Sequence, residues 1–196
     1  MLAASGQQPK VMVIACCDSR VDPTIVFDAA PGELFVLRHI AALVPPCERD
    51  GKHHGASAAI EFTVTQLGVE HVVVFGHGNC GGIAASLSGR FEDAPECDGG
   101  FIQHGMKIIE PARSQVLAAA AISLDVDAQR ALEFASIRVS IDNLRSFPFV
   151  RERENEGRLQ LHGAYFDICD GILRLLDPRT GQFAPLNLIA NSAAAA

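Results

Sequence analysis

Two stretches of the chain, Val11–Ala15 (VMVIA) and Val72–Phe75 (VVVF), are apolar without interruption and dominated by β-branched residues. A strand with one face in water alternates apolar and polar side chains. An unbroken run of this length marks a strand covered on both faces, as in a parallel sheet packed between layers. Leu34–Leu37 reads as another strand after the Pro31-Gly32 turn. Helical patterns fall between the strands. Asp22 and Pro23 form a helix start, an N-cap acceptor followed by a residue whose missing N–H is not needed there. Ala56–Leu67 places Ile60, Val64 and Leu67 on one face and is stopped by Gly68. Ile83–Leu87, Met106–Ala121 and Ala128–Leu144 also read as helical, and Gly89–Gly100 reads as a polar, glycine-rich loop. Leu159–Asp167 and Ile172–Leu176 flank Gly171 as adjacent strands. The pattern predicts an α/β fold in a single domain, with a mainly parallel central sheet flanked by helices and a C-terminal antiparallel strand. The 196 residues suit one domain, without a linker, and residues 190–196 are expected to fray.

Composition narrows the function classes. The formal charge is −7 and no Lys/Arg cluster stands out, which argues against nucleic-acid binding. No apolar run approaches the ~18 residues of a membrane span. The opening MLAASGQQPK has neither a signal-peptide core nor a transit-peptide pattern, so the cytoplasm is the expected location. Charges alternate in sign along Arg151–Glu156, which reads as a solvated surface segment. The six cysteines do not look like a disulfide framework in a domain of this size, and metal ligation is the better use for some of them.

The chemistry-bearing residues sit where open sheets bind ligands, beyond the C-terminal ends of strands. Cys16-Cys17-Asp18-Ser19-Arg20 follows the first strand, and Gly76-His77-Gly78-Asn79-Cys80-Gly81-Gly82 ends the third. Zinc prefers Cys sulfur and His nitrogen in a tetrahedron, and a catalytic zinc keeps one position open. Cys16, His77 and Cys80 converge if the two strands are neighbours. Cys80 opens a helix, whose dipole favours its thiolate. Taken separately, these residues read as a small buried cysteine, a weak H-x-x-C pair and an ordinary salt bridge between Asp18 and Arg20.

Together the two motifs resemble the C-x-D-S-R and H-x-x-C-G-G signatures of β-class carbonic anhydrases, with the plant-type branch the nearer one. The similarity extends through Val21–Pro23, Pro31–Arg38, Val44–Pro46, Ser57–Phe62, Ala135–Asn143 and Leu161–Ile168. It implies one Zn²⁺ per subunit, held by Cys16, His77 and Cys80, and reversible hydration of CO₂ to bicarbonate and a proton by zinc-bound hydroxide. The chain would thus be a zinc lyase, a carbonate dehydratase. Asp18 and Arg20 would be the catalytic pair, with Asp18 a fourth zinc ligand if the site closes. Gln7, Phe35, Ile40, Phe62 and the Gly81 N–H would bind substrate in a pocket shared between two subunits of a homodimer or larger homo-oligomer.

The chain departs from the family pattern in places. Phe62 stands where Tyr is common, and His39 and Ala42 replace two asparagines of an R-N-x-A-N segment. The resemblance leads to the expectation of a helical arm ahead of the first strand, of which the ten residues before Val11 would supply little. Two other readings remain: a CS₂ or COS hydrolase on the same fold, and a non-catalytic zinc- or bicarbonate-binding protein, which would not need Asp18 and Arg20. His53-His54 reads as a solvated pair, and His162 as part of a structural Leu-His-Gly turn.

Overall fold

The computed structural model describes residues 4, 6–50 and 53–186, so the terminal tail expected to fray lies outside the described residues. Strands β1 (Val11–Cys16), β2 (Leu34–His39), β3 (His71–His77), β4 (Gln160–Asp167), β5 (Ile172–Leu176) and β6 (Phe183–Pro185) form one sheet in the order β2-β1-β3-β4-β5-β6. The first four are parallel, and β5 and β6 add on antiparallel. The fold is the expected α/β one with a second antiparallel strand. Three residues, Phe-Ala-Pro, are too short for β6 to show a pattern. The apolar run of β1 is buried from Met12 to Cys16.

Asp22 caps helix α1 (Pro23–Val26), accepting the Thr24 N–H at 2.9 Å. Helix α2 (Gly55–Glu61) runs into a wider π turn over Phe62–Leu67 before Gly68 ends it at φ 68°. The hydroxyls of Thr63 and Thr65 bond back to the carbonyls of Ala59 and Glu61 at 2.6 and 2.7 Å. Such back-bonding competes with the regular helical ladder and accompanies its widening.

Helix α3 (Gly81–Leu87) follows β3. The helix expected over Met106–Ala121 is divided into α4 (Gly100–Met106), a 3₁₀ turn (Lys107–Ile109) and α5 (Glu110–Ile122). Pro111 explains the break, since it lacks an N–H and its ring obstructs the preceding turn. Helix α6 (Ala128–Arg145) is capped by Asp127, which accepts the Arg130 N–H. Helix α7 (Pro148–Asn155) contains most of the alternating charges read as a surface segment; buried Phe147 and Val150 anchor it to the core.

Helix α6 sets the position of the site. Ile137 lies where Gly76 of β3 and Gly163 of β4 leave room. A Cβ at Gly76 would fall 2.7 Å from Ile137 Cδ1, and one at Gly163 would fall 2.9 Å from its Cγ2. This close approach brings the first turns of α6 beside the C-terminal end of β3. His162 lies in β4, not in a turn, and its Nε2 is 3.1 Å from His71 Nδ1 across the parallel β3–β4 pair.

Candidate metal centre

Cys16 ends β1, His77 ends the adjacent β3, and Cys80 is the N-cap of α3. All three are buried, and their donor atoms lie within 4.8 Å of one another. The two sulfurs are 4.0 Å apart. A tetrahedron with Zn–S bonds of ~2.3 Å has sulfurs about 3.8 Å apart, so the donors have the spacing zinc requires. His77 Nδ1 faces the Gly78 carbonyl at 2.9 Å, leaving Nε2 buried and without a hydrogen-bond partner. With the proton on Nδ1, the Nε2 lone pair faces the sulfurs, the tautomer that a metal ligand needs. The orphaned nitrogen and paired thiols fit zinc.

The electrostatics lead the same way. The two sulfurs share a hydrogen bond, which is the main effect lowering the Cys16 pKa; with help from His77 it outweighs burial. The same contact, followed by burial, pushes Cys80 upward, because a second thiolate beside the first is repelled. For His77, burial opposes the charge most strongly, but the nearby Cys16 sulfur, the Gly78 carbonyl and the charge of Asp18 leave the net direction upward. A divalent cation would replace the shared proton and favour both thiolates.

Asp18 adjoins these donors, its Oδ2 3.9 Å from His77 Nε2, with 15% of its side chain exposed. Arg20 grips both carboxylate oxygens, Nε to Oδ1 at 2.9 Å and Nη2 to Oδ2 at 2.7 Å, and its backbone N–H donates to Oδ1 at 3.0 Å. The Arg20 hydrogen bonds are the chief reason the Asp18 carboxyl is held well below the usual carboxylate range. Arg20 Nη2 also donates to the Asn79 carbonyl at 3.0 Å, tying the two motif loops together.

Several positioning residues were not singled out in the sequence. Arg38, from β2, donates to the carbonyls of Cys16, Asp18 and Val21 and to the Asp22 carboxylate, fixing the loop that carries Asp18 and Arg20. Glu133 and Gln129 of α6 reach the Cys80 peptide. Their four-residue spacing on a helix was the available signal, but it also describes an ordinary surface pair. After β2, Ala41 and Ala42 both adopt left-handed backbone, at φ 57° and 56°. Asparagine tolerates this region better than alanine, so the replacement at Ala42 leaves strain in the loop.

The substrate-binding candidates do not form one cluster in the chain. Ile40, half exposed, lies over α3: a Cβ on Gly82, next to Gly81, would meet its Cγ2 at 2.8 Å. Phe35 and Phe62 form a separate pair, with ring centroids 6.4 Å apart. Phe35 is in register with Met12, about 13 Å along β1 from Cys16 at ~3.3 Å per residue. Gln7 is exposed in the segment ahead of β1.

A family model described as "Carbonic anhydrase" matches residues 11–173. Among curated proteins, Beta carbonic anhydrase 3 of Arabidopsis thaliana is 37% identical over 172 residues, covering 88% of this chain and 66% of that protein. Beta carbonic anhydrase 5, chloroplastic, from the same plant is 39% identical over 168 residues, covering 85% of this chain and 54% of the relative. The chain spans less than two thirds of the length of either. Among solved structures, one from a study of two tetrameric β-carbonic anhydrases of Sordaria macrospora superposes with a TM-score of 0.75 at 29% identity, covering 92% of this chain and 85% of that one.

Proposed function

The chain belongs to the β-carbonic anhydrase family, and from that premise we propose that it catalyses the reversible hydration of CO₂ to bicarbonate and a proton. The observation that carries this reading is the convergence of Cys16, His77 and Cys80 beside an Asp18 that Arg20 keeps ionised. A purely structural zinc site needs four ligands and no such pair.

Zinc held by the three donors supplies Lewis acidity that lets water ionise near neutral pH. The protein then orients the reactants. Ionised Asp18 is an acceptor-only group, so it favours a nucleophile whose O–H points to the carboxylate and whose lone pair faces the carbon of CO₂. Arg20 fixes the direction of that acceptor. Because Arg20 engages both Asp18 oxygens, the geometry favours the open arrangement over Asp18 as a fourth ligand.

Substrate would lie against Ile40 and the Gly81 N–H of one subunit and against Phe35, Phe62 and Gln7 of a second copy. The distance of the Phe35–Phe62 pair from Cys16 in its own chain, and the exposure of Ile40 and Phe62, support a homo-oligomer with a shared pocket. The tetrameric relatives support it too. The cytoplasm is the proposed location.

Stopped-flow assays with a pH indicator test the activity, with CO₂, COS and CS₂ supplied in parallel to the zinc-loaded protein. CO₂ hydration well above the uncatalysed rate is the expected result. Turnover of COS or CS₂ without CO₂ hydration would contradict it.

A further inference from the structure

Beneath the metal centre, Glu133 is a 3% exposed carboxylate surrounded by donors. Its Oε1 accepts the Cys80 N–H at 3.0 Å and the Gln129 Nε2 at 2.7 Å, and its Oε2 accepts the Tyr165 hydroxyl at 2.8 Å. Gln129 Nε2 also lies 3.1 Å from the Cys80 carbonyl. Two side chains one turn apart on α6 therefore hold the backbone N–H and C=O of one residue, a candidate metal ligand. The Cys80 N–H is one of the donors that the start of α3 leaves without an intrahelical partner, and Glu133 supplies its acceptor.

Buried acidic side chains are rare unless paired, and a fully apolar contact would join α6 to β3 with less desolvation. Glu133 is held rigidly on three sides. Tyr165 fixes one oxygen from β4, Gln129 fixes the other from α6, and α6 itself is seated by Ile137 against Gly76 and Gly163. The Cys80 N–H held by Glu133 belongs to the residue whose Sγ lies 4.0 Å from Cys16 Sγ, so the position of that N–H bears directly on where the sulfur points.

We propose that Glu133, aligned by Gln129 and Tyr165, is a positioning residue for the metal centre: it fixes the Cys80 peptide and so sets the aim of the Cys80 sulfur at the ion. This rests on the metal-site reading above. Hydrogen-bond partners behind metal ligands typically contribute 10–100-fold to metal affinity.

The role is that of an acceptor at a fixed distance, which separates the variants. In E133Q the amide oxygen accepts from Cys80 and Gln129, while the amide nitrogen donates to the Tyr165 oxygen, so the clamp survives. In E133D the carboxylate retreats by one methylene and loses Cys80. In E133A all three donors lose their partner.

The experiment is titration of the whole protein with Co²⁺ alone, in competition with a chelator, following thiolate-to-cobalt charge-transfer absorption. Thermal unfolding of each metal-free variant is recorded alongside. We expect E133Q to retain most of the affinity and the unaltered absorption band. E133D and E133A should bind about 10–100-fold more weakly with a shifted band. Y165F serves as the comparison: it removes a buried hydrogen bond without touching Cys80 and should cost stability with a smaller loss of affinity. Should E133A fail to fold, the order of E133Q over E133D decides. Equal affinity and identical spectra for the unaltered protein, E133Q and E133D would overturn the proposal, as would E133D outperforming E133Q. Absence of charge-transfer absorption in the unaltered protein would overturn the metal-site reading itself, and this proposal with it.

Discussion

At the scale of single residues, the account depends on Asp18 and Arg20. Removing the Asp18 charge in D18N should lower CO₂ hydration by about 100-fold or more, the lower range for loss of one preorganised hydrogen-bonding group at a reacting centre. Zinc content should stay unchanged, as metal analysis of the same sample would show. R20K keeps a positive charge but loses the two-pronged grip on Asp18, so a partial loss is expected. The sign of the pH effect follows from the depressed Asp18 pKa. The stabilisation from the pair is complete above the ordinary carboxylate value of about 3.9 and is lost only as pH falls through the lower folded value. Asp18 therefore contributes no inflection near neutral pH, and a rise in hydration toward alkaline pH should keep its shape in D18N at reduced amplitude. Metal retention behaves differently, because each sulfur must be deprotonated to bind. Dialysis against a chelator at a series of pH values should release zinc more readily as pH falls. Both signature motifs were legible in the sequence because their residue types carry specific chemistry. Glu133 was not: a glutamate on an amphipathic helix looks the same whether it faces water or the Cys80 peptide.

At the scale of elements, α6 against β3 and β4 holds the site together. Gly76 and Gly163 are required because Ile137, itself buried, occupies the space where each Cβ would lie. G76A and G163A should each destabilise by about 1–3 kcal/mol through overpacking. Shortening the opposing side chain should return part of that loss: chemical denaturation of G76A combined with I137A is expected to show a total smaller than the sum of the singles. The buried strands β1 and β3 were legible because sustained apolar runs of this length have few other uses. Helix α7 was not recognised as an element because two buried anchors, Phe147 and Val150, decide its place, while its charges give no period. The division between α4 and α5 lay in Pro111, whose effect depends on where in a helix it falls. The π turn over Phe62–Leu67 depends on threonine hydroxyls turning back to the chain, a choice residue identity does not reveal.

At the scale of the whole molecule, β2 is one edge of the sheet; half-exposed Ile40 follows it directly, and half-exposed Phe62 pairs with its Phe35. The shared-pocket reading makes this face the meeting place of two copies. F62D should shift the protein to a smaller species in light scattering after size exclusion, with a loss of hydration although every zinc-ligand candidate is intact. Retention of the larger species with full hydration would contradict the shared pocket. This level was the least legible in the sequence, since a pocket assembled from two chains leaves its residues scattered along one. The central claim, zinc-dependent hydration by Cys16, His77 and Cys80, is tested most directly by stopped-flow CO₂ hydration. The assay is run before chelation, after complete removal of zinc and after its return, with C16S treated in parallel. The account predicts that hydration disappears with the metal and returns with one zinc per chain, and that C16S regains none. Hydration persisting in the zinc-free protein, or undiminished in C16S, would contradict it.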